Sequence, residues 1–230
     1  MNDSIDLKKS GSRAFARVDA FVQDKISKSR YGFDELLKAG AGGGRALRKP
    51  FNYLKTFIED AGVAAIHPSS KYLVSRVVRA VEAGRPRVIV EFGAAEGVMT
   101  KKILKGLPAD GLLAAIERNL GFYKGLSEIK DARLRTACGD VRDMKRMLIE
   151  MGITKADCFF SGIPFSFLSP AERSLLVHEV HSHLPHGGRF VAYQCTTHLI
   201  PLLRAQFQQV KVELELRNMP PHFVFTAIKK

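Results

Sequence analysis

Between residues 71 and 84 the apolar positions Leu73, Val74, Val77, Val78 and Val81 recur three and four apart, the pattern of a helix with one buried face. Ser69 and Ser70 stand where an N-terminal cap belongs, and Gly84 and Pro86 end the pattern. From Arg87 the rhythm changes. Short apolar runs at 87–92, 111–117, 133–138, 156–161 and 188–195 predict strands. Amphipathic stretches at 98–106, 120–129, 141–151, 170–184 and 197–208 predict the helices between them. Two further runs, 209–217 and 222–229, are joined only by Asn218-Met219-Pro220-Pro221. A parallel crossover needs a dozen or more residues, so these two strands form an antiparallel hairpin. Five strand–helix units and a terminal hairpin predict an α/β fold: a mainly parallel seven-stranded sheet with helices on both faces, preceded by N-terminal helices.

The chain before residue 87 divides in two. Phe15, Val18, Val22 and Ile26 recur at helical spacing, with Arg13, Arg17, Asp24 and Lys28 on the opposite face. The glycine-rich run 39–44 then breaks the pattern. Pro50 suits the first turn of a second helix, whose apolar face is Phe51, Leu54, Phe57, Ile58 and Ala61. The expected organisation is a basic helical extension (1–49), a lid or membrane-facing helical segment (50–86) and a ligand-binding domain (87–230).

Charge narrows the partners. The 230 residues carry 36 Lys+Arg against 23 Asp+Glu, a formal net charge of +13. Such an excess favours a nucleic acid or an anionic membrane surface. No apolar run approaches the roughly 20 residues that span a bilayer, and the N-terminus lacks the basic start and apolar core of a secretory leader. A membrane partner is therefore met from the side, and a basic amphipathic helix can lie in the headgroup layer. Cys138, Cys158 and Cys195 form no CxxC pair and no metal-ligand spacing. They are expected as buried free thiols in a reducing cytoplasm, with no metal site.

The chemistry concentrates at three strand ends. Val88-Ile89-Val90-Glu91-Phe92-Gly93-Ala94-Ala95-Glu96-Gly97 is an apolar strand that ends in an acid and turns through glycines into a helix. The spacing E-x-G-x-x-x-G is neither a dinucleotide loop nor a Walker loop, so no phosphate is expected there. An acid in this place accepts from an amino group. The second strand ends in Glu117, placed to accept from both hydroxyls of a ribose. The third ends in Cys138-Gly139-Asp140-Val141, where Asp140 can accept from an adenine amine with Val141, Phe92 or Arg118 against the ring. Amine, ribose and adenine without phosphate describe S-adenosyl-L-methionine. Read singly, the glycine turn can be simple strand–helix geometry, and Glu117 and Asp140 can be helix caps.

In this order, E-x-G-x-x-x-G, Glu117, Gly139-Asp140 and Leu184-Pro185-His186-Gly187-Gly188 resemble the Rossmann-like class I S-adenosylmethionine-dependent methyltransferases. Tyr53-Leu54-Lys55-Thr56-Phe57, the run Val63 to Ser70, Ser161-Gly162-Ile163-Pro164-Phe165 and the run Arg217 to Val224 are more narrowly similar to bacterial phospholipid N-methyltransferases. That resemblance spans roughly residues 50–230. It implies transfer of methyl groups to the amine of phosphatidylethanolamine, or of a related aminolipid such as an ornithine lipid, at the inner face of the membrane, with S-adenosyl-L-homocysteine as product. It puts Glu91, Gly93, Gly97, Glu117 and Asp140 around the cofactor, and Ser69 and Ser70 near its methionine end. Ala95 departs from the glycine usual in the family, and Glu96 from a small hydroxyl residue.

Ser161-Gly162-Ile163-Pro164-Phe165-Ser166-Phe167-Leu168 follows the fourth strand, where the acceptor should meet the methyl group. Methyltransferases that act on flat ring amines often hold an Asn at this exit, and here there is none. Backbone at Ser161 and Gly162 with an apolar wall of Pro164, Phe165, Phe167 and Leu168 suits a flexible amine on a greasy molecule. An alkylammonium must lose its proton before it attacks. Tyr53, His67 and Tyr193 are the candidate groups. The competing readings are a nucleic-acid adenine N-methyltransferase, a soluble small-molecule amine methyltransferase, and a binding protein whose Ala95 and Glu96 have closed the cofactor site.

Overall fold

The computed structural model describes residues 69–218 and 221–230. The expected helices before residue 69, together with Tyr53 and His67, lie outside the described residues. Seven strands form one sheet: β1 (Val88–Phe92), β2 (Leu112–Glu117), β3 (Leu134–Cys138), β4 (Cys158–Ser161), β5 (Arg189–Gln194), β6 (Gln209–Glu215) and β7 (His222–Ile228). Their order is β3-β2-β1-β4-β5-β7-β6. The first five run parallel; β7 is antiparallel to both β5 and β6. Each expected strand is present, trimmed by at most two residues at either end.

The helices follow the pattern of apolar positions. Helix α1 (Lys71–Glu82) buries Leu73, Val74, Val77 and Val81, and the Ser70 side chain caps it by accepting from the Leu73 N–H. Helices α2 (Val98–Gly106), α3 (Leu120–Ser127), α4 (Met144–Glu150), α5 (Pro170–His183) and α6 (Leu199–Gln206) connect the strands. The stretch expected as one helix over 141–151 opens instead as a short 3-10 turn, Val141–Asp143, before α4 begins. The Asp140 side chain accepts from the Arg142 N–H and tightens that first turn. Helix α5 starts at a capping box made by Ser169 and Glu172, with Pro170 in its first turn.

Because strand side chains alternate, each face of the sheet has its own core. Val90, Phe92, Phe159, Phe190 and Phe225 share one face with α4, α5 and α6. Ile89, Phe160, Val191 and Val224 share the other with α1 and α2. The cysteines do not all follow expectation. Cys158 is buried on β4, Cys195 is half-buried and Cys138 is exposed. Cys138 ends β3, the edge strand of the sheet, so only one neighbour covers it. No helix among the described residues is long and apolar enough to cross a membrane.

Candidate functional site

The strand order reverses around β1, and a cavity opens there above the carboxyl ends of β1, β2, β3 and β4. Its floor is the turn from β1 into α2. Gly93 and Gly97 adopt φ of 73° and 75°, and Ala95 adopts 46°. This left-handed conformation is free to glycine but strains an alanine by about 1–2 kcal/mol. At Gly93 glycine has a second reason: a Cβ would come within 2.8 Å of the Ile163 side chain on the facing wall.

Glu117 ends β2 at the edge of this turn. Its Oε2 accepts from the Ala95 N–H at 2.8 Å and its Oε1 from the Asn119 N–H at 2.7 Å. Burial raises its pKa above the usual carboxylate range, and these backbone donors oppose that rise. Glu91 is fully buried beneath the turn, where its Oε2 accepts from the Thr100 hydroxyl at 2.6 Å. Burial pushes its pKa up to about 8, against the pull of that hydroxyl. Asp140 is more open. Its carboxylate accepts from the Arg142 Nε at 2.9 Å and Nη2 at 2.8 Å, and the Arg118 guanidinium stands at 3.8 Å. The Arg142 side chain foremost holds its pKa below the usual range.

Of the residues expected at the cofactor, Gly93, Ala95, Glu117, Arg118, Gly139, Asp140 and Val141 line this one cavity. Of those expected at the substrate, Gly162, Pro164 and Phe167 line it as well. Others lie elsewhere. Phe92 and Phe165 belong to the core: Phe92 packs 5.7 Å from Phe159 and Phe165 packs 6.2 Å from Phe190, ring centre to ring centre. For Phe92 the strand alternation decides this. For Phe165 a short 3-10 turn, Phe165–Phe167, buries its first aromatic ring and exposes its last. Ser161 is buried, and its hydroxyl accepts from the Ile163 N–H, shaping the loop. Gly97 caps α2. Ser69 is half-buried, and Ser70 caps α1.

Tyr193 stands on β5 beside the cavity, with its hydroxyl against the backbone of Gly162, so that a methyl group at Gly162 would overlap it. Its ring centre is 6.2 Å from that of His222 on β7. Asn218 joins this group to α1: its Oδ1 accepts from the Ser70 N–H at 2.8 Å, and its Nδ2 lies 3.0 Å from His222 Nδ1. The backbone donor orients the amide, so Nδ2 donates to the imidazole.

Leu168, expected in the apolar wall, lines the cavity too, whereas sequence reasoning missed Asn119, Phe122, Arg142 and Ile163, which also line it. Asn119 carried a readable signal, an N-cap residue just after the acid that ends β2; it caps α3 by accepting from the Phe122 N–H. The others are ordinary apolar or basic residues whose place depends on how the loops fold. Among the described residues no group of His, Cys, Asp and Glu could hold a metal ion.

The cavity sets the carboxylates of Glu117 and Asp140 and a glycine turn against apolar walls, with Arg118 and Arg142 both at the Asp140 carboxylate. Its carboxylates offer acceptors to hydroxyls and amino groups. Solved structures share the fold. The O-methyltransferase TomG from Streptomyces achromogenes, solved with S-adenosylmethionine, superposes with a TM-score of 0.60 at 15% identity, covering 82% of this chain and 92% of its own. An O-methyltransferase from Bacillus cereus, solved with S-adenosylhomocysteine, has a TM-score of 0.59 at 13% identity, covering 86% of this chain and 97% of its own. No family model matches the chain. The described residues thus share the fold of these methyltransferases.

The sequence carries the assignment further. The chain is 31% identical over 170 residues to the ornithine lipid N-methyltransferase of Singulisphaera acidiphila, covering 73% of this chain and 88% of that enzyme. It belongs to that N-methyltransferase family.

Proposed function

We propose that this enzyme methylates the amine of an aminolipid headgroup, of the ornithine lipid or phosphatidylethanolamine type, at an anionic membrane surface on its cytoplasmic side. The observation that carries this reading is the kinship with an ornithine lipid N-methyltransferase. The loop after β4 supports it: backbone at Gly162 and the apolar Ile163, Pro164, Phe167 and Leu168 face the cavity, and that loop has no side-chain amide to grip a flat base.

Bound S-adenosylmethionine supplies a methyl group already activated on a sulfonium. Glu117 would hold the ribose hydroxyls. Asp140, with Arg118, Gly139 and Val141, would hold the adenine. Gly93 and Ala95 would meet the methionine end, with Glu91 and Gly97 setting the turn beneath it, Ser69 and Ser70 at the start of α1 nearby, and Phe92 and Ser161 shaping the turn and loop from behind. The acceptor arrives as an ammonium, with a pKa of about 10.4 if it resembles lysine. It must lose a proton before its lone pair can attack. Tyr193 Oη, at the Gly162 rim, accepts a hydrogen bond from that amine and orients it, and the ammonium proton passes to solvent water at the open mouth of the cavity. Pro164 and Phe167 give its apolar portion a wall.

The test is a radiolabelled-methyl assay run in parallel on whole lipid extract and on total RNA. Label in a lipid whose headgroup carries an amine is the expected result; label in RNA alone overturns the reading.

A further inference from the structure

The described residues expose seven large hydrophobic side chains: Tyr72, Val98, Leu120, Ile149, Phe167, Leu175 and Leu216. Five of them sit at one end of the molecule. Val98 opens α2, Leu120 opens α3 and Phe167 lies in the loop after β4, so all three stand where the parallel strands end. The β6–β7 turn, with Leu216, projects at the same end, because Gln194 at the close of β5 pairs with Phe223 and Glu215 pairs with His222. Tyr72 in the first turn of α1 joins them, held there by the Ser70–Asn218 hydrogen bond. This is the end at which the cavity opens. Ile149 and Leu175, on the flanks of α4 and α5, stand apart.

Monomeric proteins scatter exposed apolar groups singly, and gathering them around a site mouth marks a contact surface. The surrounding charges say what kind. The Arg217 guanidinium lies 4.1 Å from the centre of the Tyr72 ring, and Lys71 Nζ lies 5.2 Å from it. An aromatic ring flanked by long cationic side chains is the arrangement found at lipid–water interfaces, where stems and rings sink and charged heads stay in the headgroup layer. Of the acids at this end, Asp140 pairs with Arg142 and Glu215 with Arg76 and Arg217, while Glu117 lies in the cavity and Glu96 beside Val98. The whole chain carries a net charge of +13.

We infer that this end of the molecule is a membrane-docking face. Tyr72, Leu120 and Leu216 enter the interfacial layer of an anionic bilayer, and the cavity opens directly onto the headgroups. The inference rests on the aminolipid reading above and adds the surface by which the enzyme meets its substrate. It is distinct from binding by the basic N-terminal residues, because it requires contact at named positions of the folded domain.

The chain contains no tryptophan, so a single introduced one reports its own depth. Full-length Leu216→Trp, Leu120→Trp and Ile149→Trp variants are mixed with vesicles of phosphatidylcholine and phosphatidylglycerol carrying brominated acyl chains. Strong quenching and a blue shift at positions 216 and 120, with neither at 149, is the expected result. Binding without quenching at 216 and 120, or equal quenching at all three positions, overturns the inference. So does a blue shift that grows with protein concentration in the absence of vesicles, which would make the face a contact between two copies. A Leu120→Glu/Leu216→Glu variant should lower the partition coefficient about tenfold. Quenching without methylation of any aminolipid would sink the substrate reading and leave the docking face standing. Methylation of a dispersed short-chain aminolipid without quenching would do the reverse.

Discussion

The carboxylate of Glu117 accepts a hydrogen bond from the backbone N–H of Ala95, 2.8 Å away, and so ties the end of β2 to the strained turn that leaves β1. One side chain thereby shapes the floor of the cavity and lines its wall. Glu117→Ala should lower the affinity for S-adenosylmethionine by about 10- to 100-fold, the size of one or two charge-assisted hydrogen bonds. Glu117→Gln, which keeps one acceptor, should lose less. Titration calorimetry decides; binding unchanged in the alanine variant would refute the ribose assignment.

Glu91 makes stability depend on pH. Its folded-state pKa of about 8 stands above the ordinary 4.5 because the side chain is buried. The folded state then keeps a proton that the unfolded chain gives up. Its contribution is full below about pH 4.5 and is lost as the pH rises to about 8. Glu91→Gln removes the charge altogether. In urea titrations at pH 5, 6, 7 and 8, the variant should gain on the parent with rising pH, by something on the order of 2–4 kcal/mol. Parallel curves would mean that Glu91 does not titrate in this window.

Gly162 leaves room for the Tyr193 hydroxyl. Gly162→Ala forces the ring aside, and overpacking of this kind costs about 1–3 kcal/mol. Tyr193→Phe removes the first atom that the new methyl group meets, so the double variant should regain part of the loss. Methyl transfer should fall in Tyr193→Phe while cofactor affinity stays within about twofold. Thermal melts and single-turnover rates measure the two effects separately.

Asn218 is buried between the start of α1 and His222. Asn218→Ala strips the Ser70 N–H of its acceptor, and an unmade buried hydrogen bond costs about 1–3 kcal/mol. Asn218→Asp keeps that acceptor but turns an acceptor toward His222 as well. It should regain part of that loss in thermal melts; equal melting temperatures for the two variants would show that the acceptor for the Ser70 N–H contributes nothing.

The alternation of apolar runs was enough to predict the strands, the helices between them and the closing hairpin, because a sheet covered on both faces demands continuous apolar strands and amphipathic helices. It also marked the acids at the ends of β1, β2 and β3, since a carboxylate that ends an apolar strand stands out against its neighbours. What lay beyond it was the direction of individual side chains in irregular backbone. Phe165 and Phe167 read alike in sequence, yet one short 3-10 turn buries the first and sets the second at the cavity. The sequence shows Asn218 and His222 only as parts of a short motif. They meet Ser70 and Tyr193 because β7 returns antiparallel beside β5 and brings the hairpin to the open ends of the parallel strands. Local periodicity thus determined the elements and their order. The pairing of strands far apart in the chain decided which loops share one end, and so which residues make a site.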